Sequence, residues 1–100
     1  MKVEKNVEGR RMELFLDGKF DSVSAPELEK EISASLDGIE ELIIDMGNVD
    51  YISSAGLRTV LYLDQAMKEK GEMKIRNVPE LVYDIFAVTG IDKIIKLERK

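Results

Sequence analysis

Residues 42–63 read LIIDMGNVDYISSAGLRTVLYL, and their pattern decides the fold class. Leu42, Ile43 and Ile44 form an apolar run, β-branched at two of three positions, which suits a buried strand. Asp45 closes the run, and Gly47, Asn48 and Asp50 are turn formers. Ser53, Ser54, Ala55 and Gly56 then lead into Leu57, Val60, Leu61 and Ala66, apolar residues at helical spacing. A strand, a loop and a helix that opens on two hydroxyls is a unit of an α/β sheet. In open sheets of that class, ligands and partners are met at loops beyond the carboxyl ends of strands. The helix start adds unpaired N–H groups and partial positive charge.

Working outward, the upstream chain predicts an opening hairpin, Val3–Val7 against Met12–Leu16, around Glu8-Gly9-Arg10. Met12, Leu14 and Leu16 alternate with Glu13 and Phe15, the period of a half-buried strand. Asp17-Gly18 is a further turn signal. Ser24-Ala25-Pro26-Glu27 reads as a helix start, with Ser24 as cap, Glu27 completing a capping box and Pro26 in the first turn. Leu28, Ile32 and Leu36 follow at i, i+4 and i+8 as one core-facing stripe. Asp37-Gly38 stops that helix.

Downstream, a strand over 41–45 and a helix over 54–70 are followed by a short strand, Met73–Asn77. A third helix spans Pro79–Thr89, with Leu81, Val82, Ile85 and Phe86 as its buried stripe and Gly90 as its stop. Ile94, Ile95 and Leu97 make a last strand. The whole pattern predicts one α/β domain over residues 1–100, with a mixed sheet behind an opening hairpin. Right-handed crossovers put the helices mostly on one face.

Composition narrows the function. One hundred residues suit one domain with a single modest core, without room for a deep substrate cavity. There is no His and no Cys, so triads built on His, Cys nucleophiles and zinc clusters are excluded within this chain. A net charge of −5 argues against a nucleic-acid backbone as partner. No apolar run approaches the ~20 residues of a membrane helix. MKVEKNVEGRR lacks the apolar core of a signal peptide. With no cysteine to pair, the expectation is a soluble, cytoplasmic chain without membrane insertion.

Several residues invite a chemical role. Ser54 reads either as a helix cap or as an accessible hydroxyl that a kinase could modify, and Ser53 can stand in for either role. Asp21, Asp45 and Asp50 follow or end strands. They could converge on Mg²⁺ or on a partner's cations, or each could cap a turn. Gly56, two residues into a helix, points either to a close partner backbone or to tight packing of helix on sheet. No G-x-S-x-G elbow and no nearby Lys activates Ser53 or Ser54, and there is no P-loop.

Asp45, Val49, Tyr51, Ile52 and then Ser54-Ala55-Gly56-Leu57 resemble the signature of the STAS family, more narrowly of free-standing bacterial anti-sigma factor antagonists. That signature is roughly D-(apolar)-x-x-V-x-(aromatic or apolar)-(apolar)-D-S-(S/T/A)-G-L. Ser53 stands where the family often has Asp. Leu16-Asp17-Gly18-Lys19-Phe20-Asp21 resembles the family's early G-x-(apolar)-D element, and the order of elements fits nearly the whole chain. The resemblance implies a STAS-like α/β domain and a phosphorylated serine at Ser54. It also implies a partner surface of Asp21, Ser53, Ser54, Ala55, Gly56 and Leu57. The implied partners are an anti-sigma factor that is also a serine kinase, and a phosphatase. ATP belongs to that kinase, so no cofactor and no catalytic residue is expected in this chain. The alternative is a STAS scaffold or ligand-binding subunit of a larger signalling or transport complex.

Overall fold

In the computed structural model, which describes residues 1–100, the opening hairpin forms as its alternation requires. β1 (Lys2–Glu8) and β2 (Arg11–Phe20) pair antiparallel, with Glu8 opposite Arg11 across a two-residue loop. Gly9 begins that loop at φ +61, a conformation that glycine adopts without steric cost. Then come α1 (Ser24–Ser33), β3 (Glu41–Ile52), α2 (Ser54–Lys68), β4 (Glu72–Val78) and α3 (Glu80–Thr89). A single 3-10 turn at Ile91–Lys93 precedes β5 (Lys96–Arg99).

The sheet order is β1-β2-β3-β4-β5, and every pair after the hairpin is parallel. Each parallel step is bridged by one helix. Because the order advances in one direction and crossovers share a hand, the three helices fall on the same face. There Leu14, Leu16, Leu42, Ile44 and Ile75 of the sheet meet Leu28 and Ile32 of α1, Val60 and Leu63 of α2, and Val82 and Phe86 of α3. Each such side chain, fully buried, contributes roughly 1.5–3 kcal/mol.

No helix covers the opposite face, which is uncommon for parallel strands. An ion-paired layer takes the place of a second helical layer. Arg76 donates to Glu13 at 2.6 Å and to Asp45 at 3.1 Å, and its guanidinium lies 5.6 Å from the centre of the Phe15 ring. Ile43 belongs to this face and is buried, apart from the main cluster.

Several boundaries depart from the sequence expectation. β3 does not end at Asp45 but continues to Ile52, paired with β2 as far as Phe20. Gly47, Asn48 and Asp50 mark irregularities within the strand rather than a turn. Phe15 and Asp17 face Asp45 and Asn48, and Gly18 and Lys19 face Val49 and Tyr51, so β3 twice carries one extra residue. The carboxylate of Asp45 accepts the Gly47 N–H at 2.9 Å at the first of these. Asp17-Gly18 likewise stays within β2.

α1 ends at Ser33, so Leu36 lies beyond the helix while remaining buried. Its expected capping box does not form. Val23 occupies the cap position without a side-chain bond, and the Ser24 hydroxyl turns inward to donate to the Lys19 carbonyl at 2.7 Å. On α3, Val82 and Phe86 are buried and Ile85 is half-buried, but Leu81 is 63% exposed. The last strand starts after Ile95. Ile95 is buried in the preceding turn while Ile94 points outward.

Candidate functional site

A single residue, Ser53, separates β3 from α2. Its N–H donates to the Phe20 carbonyl at 2.9 Å, one step past the Phe20–Ile52 pairing. Its backbone is extended, its carbonyl accepts the Leu57 N–H at 3.0 Å, and its hydroxyl accepts the Gly56 N–H at 3.3 Å. Ser53 is therefore the helix cap, and Ser54 is the first helical residue. That division of labour leaves Ser54 exposed, with its hydroxyl free of any protein partner.

Gly56 is buried, and its lack of a side chain sets how closely the helix approaches the sheet. A Cβ there would stand 2.7 Å from the Phe20 carbonyl oxygen and 2.8 Å from Ile52 Cγ1. Of the two readings of this glycine, the structure supports tight packing of helix on sheet. Ala55 and Leu57 are half-buried and pack against the core. The next turn is anchored to α1, where the buried Thr59 hydroxyl lies 3.3 Å from Glu29 Oε2 and 3.5 Å from the Ala25 carbonyl.

Asp21 follows Phe20 as Ser53 follows Ile52, so the parallel pairing of β2 and β3 brings both to one edge of the sheet. Asp21 Oδ1 accepts the N–H groups of Val23 at 3.0 Å and Ser24 at 3.1 Å. Those two amides, Ser24 foremost, hold its carboxyl below the usual range. The side-chain acceptor that sequence reasoning gave to Ser24 is thus supplied by Asp21, two residues before the cap position that Val23 occupies. Two helices begin at this edge, each presenting the positive end of its dipole. The first turn of α2 carries no acidic residue.

The three aspartates do not converge. Asp45 lies on the outer sheet face, and no cluster of acidic groups is arranged to hold a metal. Burial opposes its ionisation, but the Gly47 amide, Asn77 and Arg76 outweigh burial and keep its carboxyl below the usual value. Asp50 is exposed at the second irregularity of β3.

Sequence reasoning missed three exposed apolar side chains on the elements that meet here. Val23 at the start of α1, Tyr51 near the end of β3 and Leu61 on α2 are all exposed. Helical spacing counts Leu61 with the core. The available signal was that only Val60, Leu63 and Met67 can share one buried stripe, which leaves Leu61 to one side.

A family model described as STAS domain matches residues 2–100. The anti-sigma factor antagonist BtrV of Bordetella bronchiseptica is 36% identical over 77 residues, covering 75% of this chain and 66% of that protein. The structure of an anti-sigma factor antagonist from Mycobacterium paratuberculosis superposes with a TM-score of 0.87 at 25% identity, covering 99% of this chain and 86% of that one. Unphosphorylated SpoIIAA superposes at 0.85 with 16% identity, covering 96% of this chain and 87% of that one, a likeness of fold alone.

Proposed function

The chain belongs to the STAS domain family, and on that premise we propose that it is an anti-sigma factor antagonist switched by phosphorylation of Ser54. One observation carries the proposal. Ser53 performs the capping, so Ser54 is an exposed, unpartnered hydroxyl at the first position of a rigidly seated helix. The relatives named for this role, in Bordetella bronchiseptica and Mycobacterium paratuberculosis, support the first half of the reading.

In the unphosphorylated state the edge formed by Asp21 and residues 53–57 binds an anti-sigma factor, with Val23, Tyr51 and Leu61 supplying apolar contact. That binding frees a sigma factor. The partner is also the kinase. The Ser54 oxygen attacks the γ-phosphorus of ATP, the new O–P bond forms as the bond to ADP breaks, and the hydroxyl proton leaves to a base on the kinase. The phosphate adds about −1.5 to −2 charges near pH 7. In the free domain this charge meets the favourable field at the start of α2. In a packed interface it must be paired or desolvated, and an unpaired buried charge is strongly unfavourable. A phosphatase resets the switch by hydrolysing the ester.

Co-expression with the anti-sigma kinase followed by phosphosite mapping tests the reading. Phosphate is expected on Ser54 in the wild type and in Ser53→Ala, and absent in Ser54→Ala. Ser54→Asp should keep a Tm near wild type yet lose kinase binding. Phosphate on Ser53 would shift the site by one residue. No phosphate on either serine, with Ser54→Asp binding as wild type, would overturn the switch in favour of a scaffold role.

A further inference from the structure

Four of the five arginines are engaged within the chain. Arg10 pairs with Glu40, Arg11 with Glu41, Arg76 with Glu13 and Asp45, and Arg99 lies over the Tyr83 ring. Arg58 is the exception: it is exposed and has no carboxylate, carbonyl or aromatic partner. The chain carries 20 acidic side chains, so a guanidinium left alone among them calls for a reason.

Arg58 stands four residues after Ser54 in α2, on the same helical face and about one turn away. Side chains of a helix lean toward its N-terminus, which tilts Arg58 back toward Ser54. An anion placed four residues before a cation is also the better orientation for a helical ion pair. The planar guanidinium offers two parallel N–H groups to a phosphate, a match that a lysine does not reproduce.

We propose that Arg58 is the intramolecular partner of the phosphate on Ser54, an inference that rests on the switch reading above. Phosphorylation then makes two changes at once. It adds negative charge to the interface, and it withdraws the one unengaged arginine from the surface that a partner meets. The phosphorylated domain becomes a self-satisfied state rather than a strained one. The other charged groups at this edge are Lys19 on β2, Asp21 just after it and Asp50 on β3, with Glu29 of α1 near the Thr59 hydroxyl. Asp21 is held by its own two amides, and the remaining three come from other elements without the one-turn spacing of Arg58.

The test uses the full chain with phosphoserine installed at position 54 during translation, so that no kinase is needed. Phosphorus NMR then follows the second ionisation of the phosphate, ordinarily near ~6. With Arg58 present it should fall at lower pH than in Arg58→Gln, by about 0.3 pH or more, the strength of a surface helical ion pair. Arg58→Lys should recover part of the difference. Coincident titrations in the wild type and Arg58→Gln overturn the pairing. Because the phosphate is installed, that result is separate from the mapping experiment. Failure there would refute modification by the kinase and leave the pairing measurement unaffected.

Discussion

A methyl group on residue 56 would approach the Phe20 carbonyl oxygen to 2.7 Å, with backbone on one side and the Ile52 side chain at 2.8 Å on the other. Neither neighbour is the free end of a flexible side chain. Gly56→Ala is therefore expected to destabilise the domain by about 1–3 kcal/mol, despite the better helix propensity of Ala, because overpacking outweighs propensity here. Urea unfolding of the variant checks this, and an unchanged midpoint would mean that α2 seats less tightly. Ser53→Ala should cost ~1 kcal/mol through loss of the cap. Asp21 gives a pH signature. Its folded carboxyl titrates below the unfolded value of ~3.9, so its stabilisation is complete above that value and is lost as pH falls through the folded value. Asp21→Asn keeps an acceptor but loses the charge. Its Tm should lie below wild type at pH 7, and the gap should close as pH falls through the lowered folded value, which thermal melts across pH would record. At this scale the sequence was ambiguous for a physical reason. Ser53 and Ser54 have the same chemistry, and only the pairing of the Ser53 N–H with Phe20 determines which of them caps the helix.

At the scale of elements, the apolar periods were legible wherever one face is buried. The Met12–Leu16 alternation, the Leu28–Ile32 stripe and the Leu42–Ile44 run all lie where their patterns place them. The errors fall where a turn-forming residue serves another purpose. Gly47, Asn48 and Asp50 would end a strand of ordinary length, yet β3 absorbs them as two extra residues because β2 runs beside it to Phe20. That neighbour is 31 to 32 residues away in sequence, as in Asp17 opposite Asn48 and Phe20 opposite Ile52, and is not visible in a local window. The consequence for the site is direct. Had β3 ended at Asp45, Ser53 would sit on a long loop; instead one residue links strand to helix, and Ser54 is held in place. The α3 stripe erred in the other direction. Leu81 fits a helical spacing but faces solvent, since α3 lies against β3 and the 3-10 turn and only Val82 and Phe86 reach fully into the core.

At the scale of the molecule, the strand order puts the site next to the best-protected part of the sheet. β2 and β3 are interior strands, and their ends carry Asp21 and Ser53. β1 is an edge strand that gives the core little more than the half-buried Val3. Local opening free energy should follow this arrangement. Amide hydrogen exchange is expected to be slowest in β3 and α2, where exchange requires global unfolding, and much faster in β1. Phosphoserine at position 54 then discriminates between two kinds of switch. If the phosphate acts by charge at a preformed surface, its exchange effects are confined to the first turn of α2, residues 54–57, and protection there rises as the helix start gains an anion. Rates in β3, β4 and β5 should match those of the unmodified chain. A switch that works by loosening the domain would instead speed exchange along β3. The rigid link through Ser53 would carry a displacement of α2 into the strand. The short connection that makes Ser54 accessible thus also makes the two mechanisms separable by measurement on the free protein alone.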